Sequence, residues 1–267
     1  MHFAAACLFI AAAQGLLTVS ARAGNEPRCE RPLQLGFIDV DAGNFVRGNG
    51  SQFLTPPGDM VESAQRVFAA LGCQVTMVRL PARRLFADLA RGQIDMVVGA
   101  PATPDRLKKV HYPLDEQGQP DRRFAVVEAR AALLTLERRL VEVSEKLRAG
   151  PPGQLSVAVV RGTALEVLAA NAGFKVDVTG TVPRALSMLR TGRVDALALA
   201  SAMVTQPMLA TEPTVVELAH PLAEQFYFVP ASPRLYIENP AFVREIWQQF
   251  CRDGRIQFPK RPACPER

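Results

Sequence analysis

The sequence has few aromatic residues, few histidines and few cysteines, and these shortages argue against several functions. Aromatic residues make up 7% of the 267 residues, and the chain has one Trp, three His and five Cys. Paired arginines such as Arg83-Arg84 are not interleaved with aromatic side chains, so nucleic-acid binding is not predicted. The cysteine spacing fits no zinc site, and we expect neither a metal nor another cofactor. The net charge of +5 is small and dispersed, which suits an anionic small molecule as ligand.

Long apolar runs are also scarce, and the single strong one stands at the N-terminus. Residues 3–23, FAAACLFIAAAQGLLTVSARA, end in Ala21-Arg22-Ala23. A short apolar run followed by an Ala-x-Ala box is typical of a cleaved secretory signal. A transmembrane helix needs about 20 apolar residues, and no later segment approaches that length. We therefore expect residues 1–23 to be a signal peptide and the mature chain to be a soluble periplasmic protein.

Cleavage there would remove Cys7 and leave Cys29, Cys73, Cys251 and Cys264. An even number of cysteines in an oxidising compartment suggests two disulfides, for which three pairings exist. Cys29 and Cys73 each precede a predicted strand, and these two strands should be neighbours. Cys251 and Cys264 would close a short loop near the C-terminus. We therefore favour the pairs Cys29–Cys73 and Cys251–Cys264.

Hydrophobic periodicity predicts alternating strands and helices in the first part of the chain. Strands are expected at residues 33–38, 73–81 and 94–100, and amphipathic helices at 58–72 and 82–92. This order implies a parallel, right-handed α/β sheet. Ligands of such sheets bind at the carboxyl ends of the strands. Thr103 and Arg106 follow the third strand and therefore fall in the expected binding region.

The same order of elements restarts after the GPPG segment at residues 150–153, the clearest boundary signal in the chain. The later elements are predicted as follows: extended runs within 124–139, strands at 155–160, 174–178, 194–200 and 224–231, and helices at 162–173, 182–192 and 239–254. Thr163 is the predicted N-cap of the helix at 162–173. GQIDMVVGA and GRVDALALA then mark the same helix–Gly–strand corner twice, with Asp95 and Asp195 interpreted as caps of local backbone.

With these motifs in place, the sequence resembles the two-lobed, type II periplasmic solute-binding proteins, near those that bind polar amino acids for ABC importers. Four segments carry the resemblance over residues 33–254: Gly-x-Ile-Asp with Thr103, Arg106, Val110 and Tyr112; VAVVRGTA at 157–164; GRVDALALAS at 192–201; and FYFVPAS followed by NPAFVREIW at 226–247. The resemblance implies an α/β fold of two Rossmann-like lobes joined by a hinge. Lobe 1 would comprise residues 24–128 and 224–267, and lobe 2 residues 129–223.

The resemblance also implies a ligand site between the lobes. Arg106 would grip a carboxylate with its guanidinium fork, and Thr103 would add a hydroxyl. The amides of Gly162 and Thr163 would face the ligand from a helix N-terminus of lobe 2. Further contacts are expected from Asp39, Arg84, Arg161 and Ser201, with Arg79 and Asp41 as additional candidates.

The sequence departs from the amino-acid binders at two places. Ala200 and Ser201 stand where those proteins carry an aspartate that holds the ligand amine, and no aromatic-proline stretch follows the first strand. We therefore expect a carboxylate or other anion without an amine. The predicted function is a monomeric binding protein, not an enzyme, that delivers this ligand to an inner-membrane permease.

The sequence leaves two other functions open. One is a periplasmic accessory or sensor protein of the same fold, linked to a dehydrogenase system. The other is an enzyme similar to cyclohexadienyl dehydratase, which would need a general acid such as Glu166 or Glu224 in the cleft.

Overall fold

The computed structural model describes residues 29–149, 152–204, 214–253 and 263–265; the predicted signal peptide at 1–23 lies outside them. The strands are β1 (Leu33–Ile38), β2 (Gly48–Asn49), β3 (Gln52–Phe53), β4 (Val75–Leu80), β5 (Met96–Val97), β6 (Ala100–Pro101), β7 (Val127–Leu136), β8 (Ser156–Val160), β9 (Lys175–Thr179), β10 (Ala196–Ala200), β11 (Val215–Glu217) and β12 (Ala223–Phe228). The helices are α1 (Asp59–Ala70), α2 (Ala82–Ala90), α3 (Pro104–Leu107), α4 (Leu140–Ala149), α5 (Leu165–Asn171), α6 (Val182–Arg190), α7 (Pro233–Glu238) and α8 (Pro240–Asp253). None of the helices in these ranges is long and apolar enough to cross a membrane.

Residues 33–112, here called the first unit, contain the predicted parallel sheet in the order β4-β1-β5. Strands β1 and β4 run side by side from Leu33 opposite Val75 to Ile38 opposite Leu80. Helix α1 buries Val67 and Phe68, as its apolar spacing predicts. The Phe68 ring meets Phe250 of α8 edge-on at 6.1 Å, so the C-terminal helix packs against the first unit.

Residues 156–200, here called the second unit, repeat this arrangement. Strands β10, β8 and β9 are parallel neighbours in that order, and α5 and α6 connect them. The β-branched residues of β8, Val157, Val159 and Val160, are buried, which suits a strand covered on both faces. The duplication of the α/β pattern predicted from the sequence is therefore present in the structure.

Two long antiparallel strands, β7 and β12, connect the units. They pair from Ala223 opposite Ala131 to Tyr227 opposite Val127. Along β7, Ala129 belongs to a hydrophobic core of the first unit, whereas Ala131 belongs to a core of the second. The chain thus passes from one core to the other within a single strand.

The repeated aspartates hold equivalent corners of the two units. The Asp95 carboxylate accepts the backbone N–H of Gln34 at 2.8 Å and pairs with both terminal nitrogens of Arg31. The Asp195 carboxylate accepts the backbone N–H of Ser156 at 2.8 Å and pairs with Arg139 at 2.6 Å. Each aspartate therefore fixes the start of the neighbouring parallel strand, which confirms their interpretation as backbone caps.

We predict that Asp195→Asn lowers the free energy of unfolding by about 2 kcal/mol at neutral pH, the value of a charge-assisted hydrogen bond. Burial alone would raise the pKa of Asp195, but hydrogen bonds from Ser156 and Arg139 outweigh it and lower that pKa. A depressed pKa stabilises the fold above the unfolded-state value, about 4, and this contribution disappears as the pH falls further. The free energies of unfolding of the variant and of the unaltered protein, measured with urea, should therefore approach each other as the pH is lowered from 7 to 3.

Asp105→Asn is the matched control, because Asp105 forms an exposed pair with Lys109 and exposed pairs contribute little. An Asp195→Asn protein as stable at pH 7 as this control would contradict the prediction.

Both predicted disulfides are confirmed: Cys29 pairs with Cys73, and Cys251 with Cys264. The bridge from Cys29 joins the segments that lead into β1 and β4, which lie next to each other in the sheet.

Two local predictions were wrong. The predicted strand at 94–100 is interrupted, because Gly99 turns the chain with φ 82° and residues after it join β12 instead of β1. Thr163 is not an N-cap: α5 begins after Ala164, and the Thr163 hydroxyl donates to the Val160 carbonyl at 2.7 Å. The hydroxyl thus closes the turn after β8.

Candidate functional site in the cleft between the units

The Thr-Pro-Asp-Arg motif forms a short helix that positions Arg106. Thr103 is the N-cap of α3, and its hydroxyl oxygen accepts the backbone N–H of Arg106 at 3.3 Å. Pro104 occupies the first helical turn, where its missing N–H costs no hydrogen bond. The cap therefore holds the backbone of Arg106 in place, immediately after β6.

The Arg106 side chain crosses the cleft. Its Nη1 donates to the Pro101 carbonyl at 2.7 Å, and its Nη2 donates to the Gly162 carbonyl of the second unit at 2.8 Å. The guanidinium carbon lies 3.5 Å from the centre of the Phe86 ring, which is the geometry of a cation–π contact. Arg106 is only 8% exposed. The guanidinium is therefore held on three sides by carbonyl oxygens and an aromatic face.

The Arg106 guanidinium is almost completely removed from solvent, and its hydrogen-bond acceptors are uncharged carbonyls. Burial lowers the pKa of Arg106 and raises the pKa of Tyr112, whose hydroxyl donates to Pro101, to about 12. Within the described part of the chain, no carboxylate forms an ion pair with Arg106. A buried cation whose partners are neutral marks a candidate anion site.

Gly162 brings the second unit into close contact with the first. Its φ of 78° lies in the left-handed region, and a Cβ placed there would be 2.6 Å from the backbone nitrogen of Arg83. The Gly162 N–H donates to the Glu166 carboxylate, and the Thr163 N–H donates to the Val160 carbonyl at 3.3 Å. Both amides are therefore bonded within the second unit, and a ligand would have to replace these bonds.

The cleft contains three neighbouring spaces. The inner cavity has a volume of about 90 Å³, and Arg106, Thr163 and Ala200 are among its lining residues. The outer pocket, about 520 Å³, is lined by Thr103, Arg106, Gly162 and Thr163 among others. The rim pocket, about 460 Å³, is lined by Asp39, Arg84 and Arg161 among others.

The structure thus divides the predicted site residues into two groups. Thr103, Arg106, Gly162 and Thr163 lie together at the outer pocket, and Asp39, Arg84 and Arg161 lie together at the rim pocket. Burial raises the pKa of Asp39, although hydrogen bonding and the nearby Arg79 oppose the shift.

Two predicted contact residues have structural partners. The Ser201 hydroxyl accepts the backbone N–H of Arg130 at 3.0 Å, and its neighbours Ala200 and Met203 line the inner cavity instead. Arg79 is 4% exposed and donates to the carbonyls of Val40, Arg47 and Gly48, so it fastens the loop after β1.

Sequence reasoning missed most of the inner cavity. Its apolar lining includes Phe45, Met60, Phe86, Leu165 and Met203. These residues belong to ordinary hydrophobic patterns of loops and helices, which do not distinguish a cavity wall from a closed core.

The described residues contain no cluster of histidine, cysteine, aspartate or glutamate that could hold a metal ion. The candidate site centres on the buried Arg106 guanidinium, which stands beside an inner cavity with largely apolar walls.

No protein-family model matches the sequence, and neither does any of the curated proteins. Solved structures do match. Holo ArgBP from T. maritima has 20% identity and a TM-score of 0.61, covering 82% of this chain and 88% of that one. The substrate binding protein of an amino acid ABC transporter has 16% identity and a TM-score of 0.62, with coverages of 82% and 91%. An ancestral amino acid-binding protein, a precursor of cyclohexadienyl dehydratase, has 19% identity and a TM-score of 0.61, with coverages of 83% and 88%.

Likenesses at this level of identity establish the fold. The chain has the two-lobed α/β fold of type II periplasmic binding proteins, as the resemblance of its motifs predicted. Its structural neighbours include amino-acid-binding proteins of ABC transporters.

Proposed function

We propose that this protein is an exported binding protein that closes its two lobes on a small carboxylate-bearing ligand and delivers it to an ABC importer. It acts as a monomer in the periplasm, without catalysis. Lobe 1 comprises residues 24–128 and 224–267, and lobe 2 residues 129–223. The change of hydrophobic core between Ala129 and Ala131 on β7 supports this division.

The buried guanidinium of Arg106 is the observation that carries the proposal. Removing a charge from water is costly unless an opposite charge or good hydrogen bonds compensate. The carbonyl oxygens of Pro101 and Gly162 carry partial negative charge and compensate in part. A carboxylate offers two full acceptors in the plane of the guanidinium and compensates better.

The position of Arg106 also explains how ligand binding would be coupled to closure. Its Nη1 bonds within lobe 1, whereas its Nη2 bonds to Gly162 of lobe 2. A carboxylate that replaces the Gly162 carbonyl on Nη2 stays in contact with lobe 1 and gains lobe 2 contacts only when the lobes close. Such differential contact is what shifts a hinge equilibrium.

We predict that Arg106→Lys weakens carboxylate binding about 10- to 100-fold, since a lysine keeps the charge but loses the bidentate fork. Isothermal titration calorimetry with sodium acetate, butyrate and pentanoate measures the effect. Arg148→Lys is the matched control, because Arg148 is exposed on α4 and lines none of the three cleft spaces.

If Arg106→Lys binds carboxylates as tightly as the unaltered protein, the proposed binding of the carboxylate by the Arg106 guanidinium is wrong. Turnover of prephenate by the unaltered protein would replace the proposal with a dehydratase activity, in which Glu166 of the outer pocket would be the first acid to test.

A further inference from the structure

The inner cavity provides evidence about the ligand itself. It lies between the lobes, and its walls come from both of them: Ile38, Phe45, Met60 and Leu85 on one side, Leu165 and Met203 on the other. These side chains are apolar, so burial of hydrocarbon in the cavity is favourable. Arg106 stands at its wall and also borders the outer pocket.

Most other polar groups of this wall are already bonded within the protein. The Thr163 hydroxyl donates to the Val160 carbonyl at 2.7 Å, and the Tyr227 hydroxyl donates to Oε1 of Gln225 at 3.1 Å. Arg106 is therefore the charged group that this wall can offer to a ligand.

Among the described residues, none of those that line the inner cavity is acidic. Asp39 lines the separate rim pocket. In the outer pocket, the Glu166 carboxylate accepts the Gly162 N–H, and the exposed Asp105 pairs with Lys109. An ammonium group buried next to Arg106 would thus have no carboxylate partner and would be repelled by the guanidinium. Burying an unpaired charge in this way is strongly unfavourable.

The volume of the inner cavity limits the size of the ligand's hydrocarbon tail. An apolar cavity of roughly 150 Å³ can hold one benzene molecule. The inner cavity measures about 90 Å³. By proportion, a tail of about four carbons is the largest that fits without displacement of the walls.

We propose that the ligand is a short aliphatic monocarboxylate without an α-amine, whose carboxylate binds Arg106 and whose hydrocarbon tail fills the inner cavity. This inference rests on the proposed function and names its substrate class. It distinguishes the protein from its amino-acid-binding structural neighbours by the chemistry of the cavity wall.

The proposed binding of the tail in the inner cavity is tested by calorimetric titration with sodium acetate, propionate, butyrate, pentanoate and hexanoate. The dissociation constant should fall about fourfold for each added methylene, until the tail exceeds the cavity. Norvaline, which is pentanoate with an α-amine, should bind at least about tenfold more weakly than pentanoate.

Variants at Ala200 test whether these differences in affinity arise in the inner cavity. Ala200 lines the inner cavity from lobe 2 and is buried. Ala200→Leu should fill the space and abolish the preference for pentanoate over acetate, while Ala200→Asp should reverse the order of pentanoate and norvaline. Ala149→Leu, at an exposed position of α4, adds the same side chain outside the cleft and should change nothing.

The outcomes separate the two proposals. Equal affinity for acetate and pentanoate, or norvaline binding as tightly as pentanoate, would overturn the short-chain ligand and leave the binding protein intact. Absence of binding for every carboxylate and for norvaline would overturn both.

Discussion

Gly162→Ala is expected to hold the two lobes apart. A Cβ at this position would lie 2.6 Å from the nitrogen and 2.9 Å from the Cα of Arg83, and these are backbone atoms that cannot rotate away. The clash moves the Gly162 carbonyl away from Nη2 of Arg106 and removes the hydrogen bond that spans the cleft. Small-angle scattering should show a larger radius of gyration than for the unaltered protein.

Ligand affinity should fall with the population of the closed form. If that population drops to about a tenth, the apparent dissociation constant rises about tenfold. Titration with the tightest carboxylate of the series above measures this rise.

Gly192→Ala is the matched control. Gly192 has a φ of 69°, and a Cβ there would meet no atom within 4 Å. The control therefore introduces the same left-handed backbone strain, about 1–2 kcal/mol, without the contact between lobes. Equal radii of gyration for the two variants would show that Gly162 does not control closure.

The Cys29–Cys73 disulfide should contribute more to stability than either the Cys251–Cys264 disulfide or the hydrogen bonds of Asp195. Its cysteines are 44 residues apart, and those of Cys251–Cys264 are 13 apart. The loop-closure entropy of the unfolded chain then predicts that the two disulfides stabilise the fold by about 4 and about 3 kcal/mol, respectively. A loss of about 4 kcal/mol is a large part of the 5–15 kcal/mol that stabilises typical domains.

Urea unfolding of the double alanine variants, one for each disulfide, measures these losses. Each variant is the other's control, because both replace two cysteines by the same residue. Reduction of the unaltered protein with dithiothreitol should produce the summed loss. A larger loss for Cys251–Cys264 than for Cys29–Cys73 would contradict the entropic argument.

Most of the fold could be predicted from local patterns. The apolar spacing of α1 and α2 and the buried runs of β1 and β8 depend on residues close together in the chain, and their elements lie within a few residues of the predicted bounds. Strand β5 was predicted too long because Gly99 ends it through its backbone conformation, which hydropathy does not reveal.

Only those residues of the candidate site that belong to a recognisable motif could be predicted from the sequence. Thr103 and Arg106 could be found because a cap, a proline and an arginine occur together after a strand. Arg79 could not be told from a ligand-binding arginine, since its three carbonyl partners lie 31 to 39 residues earlier.

The sequence by itself determined the duplicated α/β pattern, the corner aspartates and the position of Arg106 after its strand, and it favoured one of the three possible disulfide pairings. These features rest on short-range periodicity, on turn chemistry and on simple counting. Only the tertiary structure decided that the guanidinium meets Gly162, which is 56 residues away, and that Phe45, Met60, Leu165 and Met203 enclose one apolar cavity. Packing between distant segments determines which buried residues line the same cavity, and local sequence patterns contain no information about such contacts.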